Sequence, residues 1–63
     1  MKVTILMDYL VFEEVENELV LKTIKPYKVN TFVHKNKLHV KGSKEDLFTI
    51  LYELSNEIEI ELF

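Results

Sequence analysis

No cysteine occurs among the 63 residues of this chain, and in so short a chain that absence constrains the fold more than any motif. A domain of about 60 residues buries only about 60% of the surface its unfolded chain exposes. The entropy lost on ordering such a chain nearly cancels the gain from burial, so small domains often add disulfides or a structural metal. Disulfides and thiolate metal sites are ruled out by composition. Stability must then come from one well-packed core or from association. The chain is 48% hydrophobic and 30% charged, a balance of folded rather than disordered segments. Residues 1–63 read as a single domain.

No apolar run approaches the ~18 residues of a membrane-spanning helix. Val3–Met7 is too short for a signal-peptide core and no small-residue cleavage site follows it, so a cytoplasmic location is expected. Ala, Arg, Gln, Trp and Cys are absent, with one Gly and one Pro. Lys, Ile, Asn, Phe and Tyr stand in their place, which fits an AT-rich coding sequence.

Patterning along the chain points to alternating strands and helices. Lys2–Met7 is a β-branched and apolar run, the first strand. Asp8 is placed as a helix N-cap. From Tyr9 to Lys25, the residues Val11, Phe12, Val15, Leu19 and Thr23 recur on one side at helical spacing, and Pro26 ends the segment. A helix over 9–25 is the expectation. Its competitor is a hairpin turning near Asn17, with Leu19–Ile24 as a strand. Val29–His34 and Lys37–Lys41 read as a hairpin around Lys35-Asn36, because Asn tolerates the positive φ of tight turns. That turn sets Val33 opposite Leu38, Thr31 opposite Val40, Phe32 opposite His39, His34 opposite Lys37 and Asn30 opposite Lys41. Ser43 caps a second helix, with Asp46 three residues on. Leu47, Ile50, Leu51 and Leu54 form its buried stripe, and Asn56 marks its end. Glu57–Phe63 alternates acidic and apolar residues as a final strand.

The order β-α-β-β-α-β resembles the ferredoxin-like arrangement. The expected class is α+β: an antiparallel four-stranded sheet, strand order 4-1-3-2, with two helices on one face. The alternative is a mostly β sheet with one helix at 43–56. The architecture implies no activity, because one fold hosts many.

Charge is sorted along the chain. Residues 3–21 carry five acids and no base, residues 22–44 seven lysines and no acid, and residues 45–63 six acids and no base, for a net charge of −3. A strongly dipolar molecule follows. Charge runs are commonly just solvated faces, but the same asymmetry can steer a partner.

Each candidate site has an ordinary explanation beside it. His34 and His39 are the only histidines. Zinc needs three or four ligands, and Lys37 and Lys41 beside these two repel a cation, so exposed strand histidines are expected and no metal. Glu57, Glu59 and Glu61 line a straight strand, which cannot wrap calcium with six to eight oxygens. Ser43 with His39 and an acid could be drawn as a triad, but helix capping accounts for Ser43. Gly42-Ser43 could offer amides to a phosphate, yet one glycine without a Lys-Ser signature is weak support. Catalytic residues and cofactors are therefore expected to be none.

Two binding functions remain. Lys28, Lys35, Lys37, Lys41 and Lys44, with Phe32 and the histidines, resemble a small basic platform with a stacking ring. Zero Arg, a negative net charge and the run Lys37-Leu38-His39-Val40-Lys41, which lacks the aromatic RNA-recognition signature, oppose nucleic acid. Apolar surplus is the second feature. Leu10 and Leu21 fall off the first helical stripe, Leu6, Phe32 and Phe63 point to the uncovered sheet face, and Phe48 and Tyr52 widen the second stripe. Such a set suggests a contact surface. The expectation is a small protein-interaction or regulatory module, not an enzyme, docking to a partner protein or to itself as a homodimer. One concrete form is a phage- or mobile-element-type inhibitor of a host protein. The alternative is a nucleic-acid-binding module using the basic hairpin. The partner-binding candidates are Leu6, Phe32, His34, Lys37, His39, Lys41 and Phe63.

Overall fold

Val3 and Ile5 alternate with Lys2, Thr4 and Leu6; after two residues, Leu10 and Phe12 alternate with Tyr9 and Val11. The two runs pair antiparallel, Val3 opposite Phe12 and Ile5 opposite Leu10, so their apolar residues share one face. In the computed structural model, which describes residues 1–62, they form β1 (Lys2–Leu6) and β2 (Tyr9–Phe12). There follow α1 (Glu18–Ile24), β3 (Asn30–His34), β4 (Lys37–Lys41), α2 (Lys44–Glu53) and β5 (Glu59–Leu62). The protein is α+β, with one five-stranded sheet in the order β3-β4-β2-β1-β5. Neighbours pair antiparallel except β1 and β5, which are parallel.

The expected helix over 9–25 is corrected: its first four residues, Tyr9–Phe12, are β2, and the helix proper begins only at Glu18. A helix from Tyr9 would have pointed Leu10 away from the core. In the sheet, Leu10 and Phe12 are among the most deeply buried side chains. Asp8 is accordingly a turn residue, and Asn17 caps α1, its side chain accepting from the Val20 N–H at 3.2 Å. Leu19–Ile24 lies within α1, so the competing second hairpin is also displaced, as is the one-helix alternative. The four-stranded antiparallel expectation gives way to a five-stranded mixed sheet. The expected neighbours β5, β1, β4 and β3 keep their sequence across the sheet, with β2 wedged between β1 and β4. An extra hairpin strand reverses β1 relative to the rest, which is why β1 and β5 run parallel.

The β3–β4 hairpin has all five expected partner pairs, from Asn30 with Lys41 to His34 with Lys37. Lys35 and Asn36 both take positive φ (51° and 62°), the geometry of a tight two-residue turn. Two crossovers complete the chain: β2 to β3 through α1, passing over β4, and β4 to β5 through α2, passing over β2 and β1. They start from oppositely directed strands and move in opposite directions across the sheet. The preferred right-handed connection then puts both helices on the same face.

On that face Val3, Leu10, Phe12, Leu38 and Val40 of the sheet meet Val20 and Ile24 of α1, Leu47, Ile50 and Leu51 of α2, and Leu54 at its C-cap. Burial follows the α2 stripe read from sequence. Leu10, which the wheel left outside, is core. Ser43 caps α2, accepting from the Asp46 N–H at 3.2 Å. The Tyr27 hydroxyl donates to Glu53 Oε2 at 2.9 Å, tying the segment before β3 to α2. That hydrogen bond, then burial and the Glu53 charge, hold the phenol above its ordinary pKa.

The single glycine has a packing reason. A Cβ on Gly42 would lie 2.7 Å from Val29 Cγ1, and Val29 packs against the core. Gly42→Ala must push Val29 aside, and overpacking of this kind costs about 1–3 kcal/mol. Urea denaturation should show a loss in that range. Val29→Ala in the Gly42→Ala background should restore part of it; equal losses in both backgrounds would place the strain elsewhere.

Candidate functional site

The helices leave the opposite sheet face uncovered, and strand alternation decides what stands on it. From β3 come Phe32 and His34, from β4 Lys37, His39 and Lys41, from β2 Tyr9 and Val11, from β1 Thr4 and Leu6, and from β5 Glu59 and Glu61. Cross-strand register places Phe32 beside His39, His39 beside Val11, Val11 beside Thr4, and Thr4 beside Glu61. One row of side chains therefore crosses all five strands.

Rings gather at the β3 side of that row. Phe32 and His39 stack, centroids 4.8 Å apart and planes at 16°. Tyr9 meets both edge-on, at 6.1 Å from Phe32 and 6.4 Å from His39. His34 stands edge-on to His39 at 5.7 Å. Lys41 Nζ lies 5.4 Å above the Tyr9 ring and 3.9 Å from Asp8 Oδ2. A cation over a ring face is attracted by the ring quadrupole. Phe32 remains 45% exposed, so the stack ends at solvent.

Beyond the rings the face sinks. An open depression of about 500 Å³ is lined by Thr4, Leu6, Val11, His34, His39 and Glu61, with Lys35 and Lys37 on its rim. Val11 forms its floor and is 7% exposed although no helix covers it. On the far side Lys2 Nζ contacts Glu61 Oε1 at 3.3 Å. The hydrogen bond and charge of Glu61, with Glu13 and Glu59 nearby, raise the pKa of the Lys2 ammonium. The face thus grades from lysine and imidazole at β3 and β4 to carboxylate at β5.

The structure brings Leu6, Phe32, His34, Lys37, His39 and Lys41 onto this one face. Leu6 sits half-buried opposite Tyr9. Phe63 lies outside the described residues. Tyr9, Val11 and Thr4 belong to the same surface, although the helical spacing over 9–25 predicts Tyr9 and Val11 on a helix; the alternation of Tyr9-Leu10-Val11-Phe12 is the signal in the sequence that reports their face. Among the described residues, no group of three or more His, Asp or Glu side chains converges as a metal site would require.

A second apolar area lies along α2 and adjoins the ring cluster at Tyr9. Phe48 and Tyr52 stand one turn apart on α2 and are exposed, as the widened stripe suggested, and Met7 beside them is 92% exposed. Phe48 and Met7, with Tyr9 and Lys44, border a depression of about 270 Å³ that also reaches Ile5, Leu10, Leu47 and Leu51, whereas Tyr52 lies outside it. No helix of the structure is long and apolar enough to cross a membrane. No protein-family model, curated protein or solved structure matches this chain.

The Phe32–His39 stack should be energetically coupled, since ring pairs contribute about 0.5–1.5 kcal/mol beyond area burial. A double-mutant cycle with Phe32→Ala and His39→Ala, read by urea denaturation, is expected to give a coupling at the lower end of that range. A coupling of zero would mean the rings stack without cohesion.

Proposed function

We infer that this domain is a protein-interaction module that docks a partner protein on the uncovered sheet face. The observation carrying this is the ring cluster of Phe32, His39, Tyr9 and His34, which stands where a solvated antiparallel sheet would ordinarily present polar side chains. Aromatic rings ringed by polar groups are what protein contact surfaces concentrate at their centres. Lys37 and Lys41 on one flank and Glu59 and Glu61 on the other supply charges of both signs, suited to orienting a protein rather than tracking a polyanion. A regulatory role by occlusion of a host protein, as in phage- or mobile-element-type inhibitors, is the form this docking takes in our proposal.

Nucleic acid is the second reading, favoured by one observation: an exposed stacking ring within a few residues of Lys35, Lys37 and Lys41. It ranks lower because a strand crossing the face toward β5 would meet Glu61 and Glu59, and Lys2 is already paired.

Capture from a lysate of the native host, with identification by mass spectrometry, tests the docking surface. Proteins held by the wild type should be lost with His34→Ser plus His39→Ser and retained with Tyr52→Ser. The reverse pattern would move docking to α2. For nucleic acid, we expect no micromolar binding of single-stranded oligonucleotides at physiological salt. Micromolar binding that falls steeply and linearly in log salt, and is lost with Lys37→Glu plus Lys41→Glu, would make nucleic acid the ligand.

A further inference from the structure

The two sheet edges are built differently. β5 carries Glu59 and Glu61, whose charges repel a second copy of the same edge. β3, at the other edge, reads Asn30-Thr31-Phe32-Val33-His34, and all five residues are exposed. It contains no Lys, Pro or acid, the devices that normally blunt an edge. Phe32 on one face is 45% exposed and Val33 on the other 58%.

Backbone geometry shows what this edge can pair with. In a two-residue hairpin the residues flanking the turn, His34 and Lys37, form a hydrogen-bonded pair. Pairs then alternate along an antiparallel ladder. Phe32 with His39 and Asn30 with Lys41 are therefore hydrogen-bonded pairs, whereas Thr31 and Val33 direct their N–H and C=O groups away from β4, out of the sheet.

We propose that β3 pairs antiparallel with β3 of a second copy, centred on Phe32, to make a two-fold dimer with a continuous ten-stranded sheet. This register sets Thr31 opposite Val33 of the other copy, and the reverse, giving four backbone hydrogen bonds from the groups that face outward. The two Phe32 rings meet in the central non-hydrogen-bonded pair, where opposing side chains are closest. His34 falls opposite Asn30. Lys35 falls opposite Val29 and Lys28 opposite Asn36, so no two lysines face each other. The outward N–H of Thr31 and of Val33 each donates to a C=O of the other copy, and the exposed Phe32 and Val33 are covered in the same step.

Closure, rather than charge, selects the second copy's β3 over its β5. Pairing β3 with β5 would be attractive, but it is head-to-tail and need not close. Pairing β3 with β3 closes by symmetry. Strand addition along one edge covers less than the roughly 1,000 Å² of a stable interface, so dissociation is expected in the range of tens of micromolar. The pairing goes beyond the docking role and does not depend on it: most of the ring-lined face stays open and is doubled in extent.

Sedimentation equilibrium and a charge swap at the symmetry axis test this. The wild type should move from the 7.5 kDa monomer to twice that mass between micromolar and hundreds of micromolar. Phe32→Lys and Phe32→Glu place like charges opposite each other and should each weaken dimerisation at least tenfold. Mixed in equal amounts they should form a heterodimer. In the wild type, the amides of Thr31 and Val33 should gain protection from hydrogen exchange with rising concentration, a measurement that needs no variant to fold. A wild type that stays monomeric at hundreds of micromolar overturns the proposal. So does a dimer in which the Thr31 and Val33 amides exchange freely, or one that both charged variants leave intact.

Discussion

Burial of Leu10 and Phe12 beneath the two helices is the packing on which the other features rest. Both come from β2, the middle strand of five, and both belong to a core drawn from β1, β2, β4 and the two helices. A domain with no disulfide and so few residues has one core to spend its apolar side chains on. Placing β2 at the centre lets four consecutive residues do two jobs. Leu10 and Phe12 fill the core, and Tyr9 and Val11 form the middle of the opposite face. Truncating either core residue would lose transfer free energy and leave a cavity beneath α2.

Centring β2 also sorts the charges in space. The lysine-rich middle of the chain becomes β3 and β4, and the acid-rich end becomes β5, at opposite sides of the sheet. Linear blocks of charge thereby become a gradient across a single face, with neutralised contacts such as Lys2 with Glu61 at one side and the Phe32–His39 stack at the other. The edge strands inherit the same asymmetry. β5 is protected by its glutamates, while β3 holds uncharged residues between lysines that lie outside the strand. Both the proposed docking surface and the proposed self-pairing edge rest on this one arrangement of strands.

The hairpin and the second helix were legible because each carried a local signal that tertiary packing had no reason to override. Lys35-Asn36 favours positive φ, and the apolar residues on either side agreed on a register. Ser43 with Asp46, followed by Leu47, Ile50, Leu51 and Leu54, is a cap and a stripe in agreement. Residues 9–17 were misread for an equally local reason. The β1–β2 turn uses Met7 at φ 46°, where Gly or Asn would announce a turn, and the Asp8 that follows suits a helix N-cap as well as a turn. With Asp8 open to both readings, Val11, Phe12, Val15 and Leu19 match a helical period as well as Tyr9–Phe12 matches a strand. Only the neighbouring β1 and β4 ladders decide between the two, and a short apolar segment cannot report on partners so far along the chain.

The candidate surface divides in the same way. That Phe32, His34, Lys37, His39 and Lys41 share a face follows from period-two alternation in one hairpin, so the residues alone settle it. That Tyr9, Val11 and Thr4 extend this face, and that Glu61 closes its far side, depends on sheet order. Alternation, capping and turn chemistry act over a few residues and are written in the chain locally. Strand order and direction depend on which distant segments bury their apolar faces together, and that choice is made only when the whole core assembles.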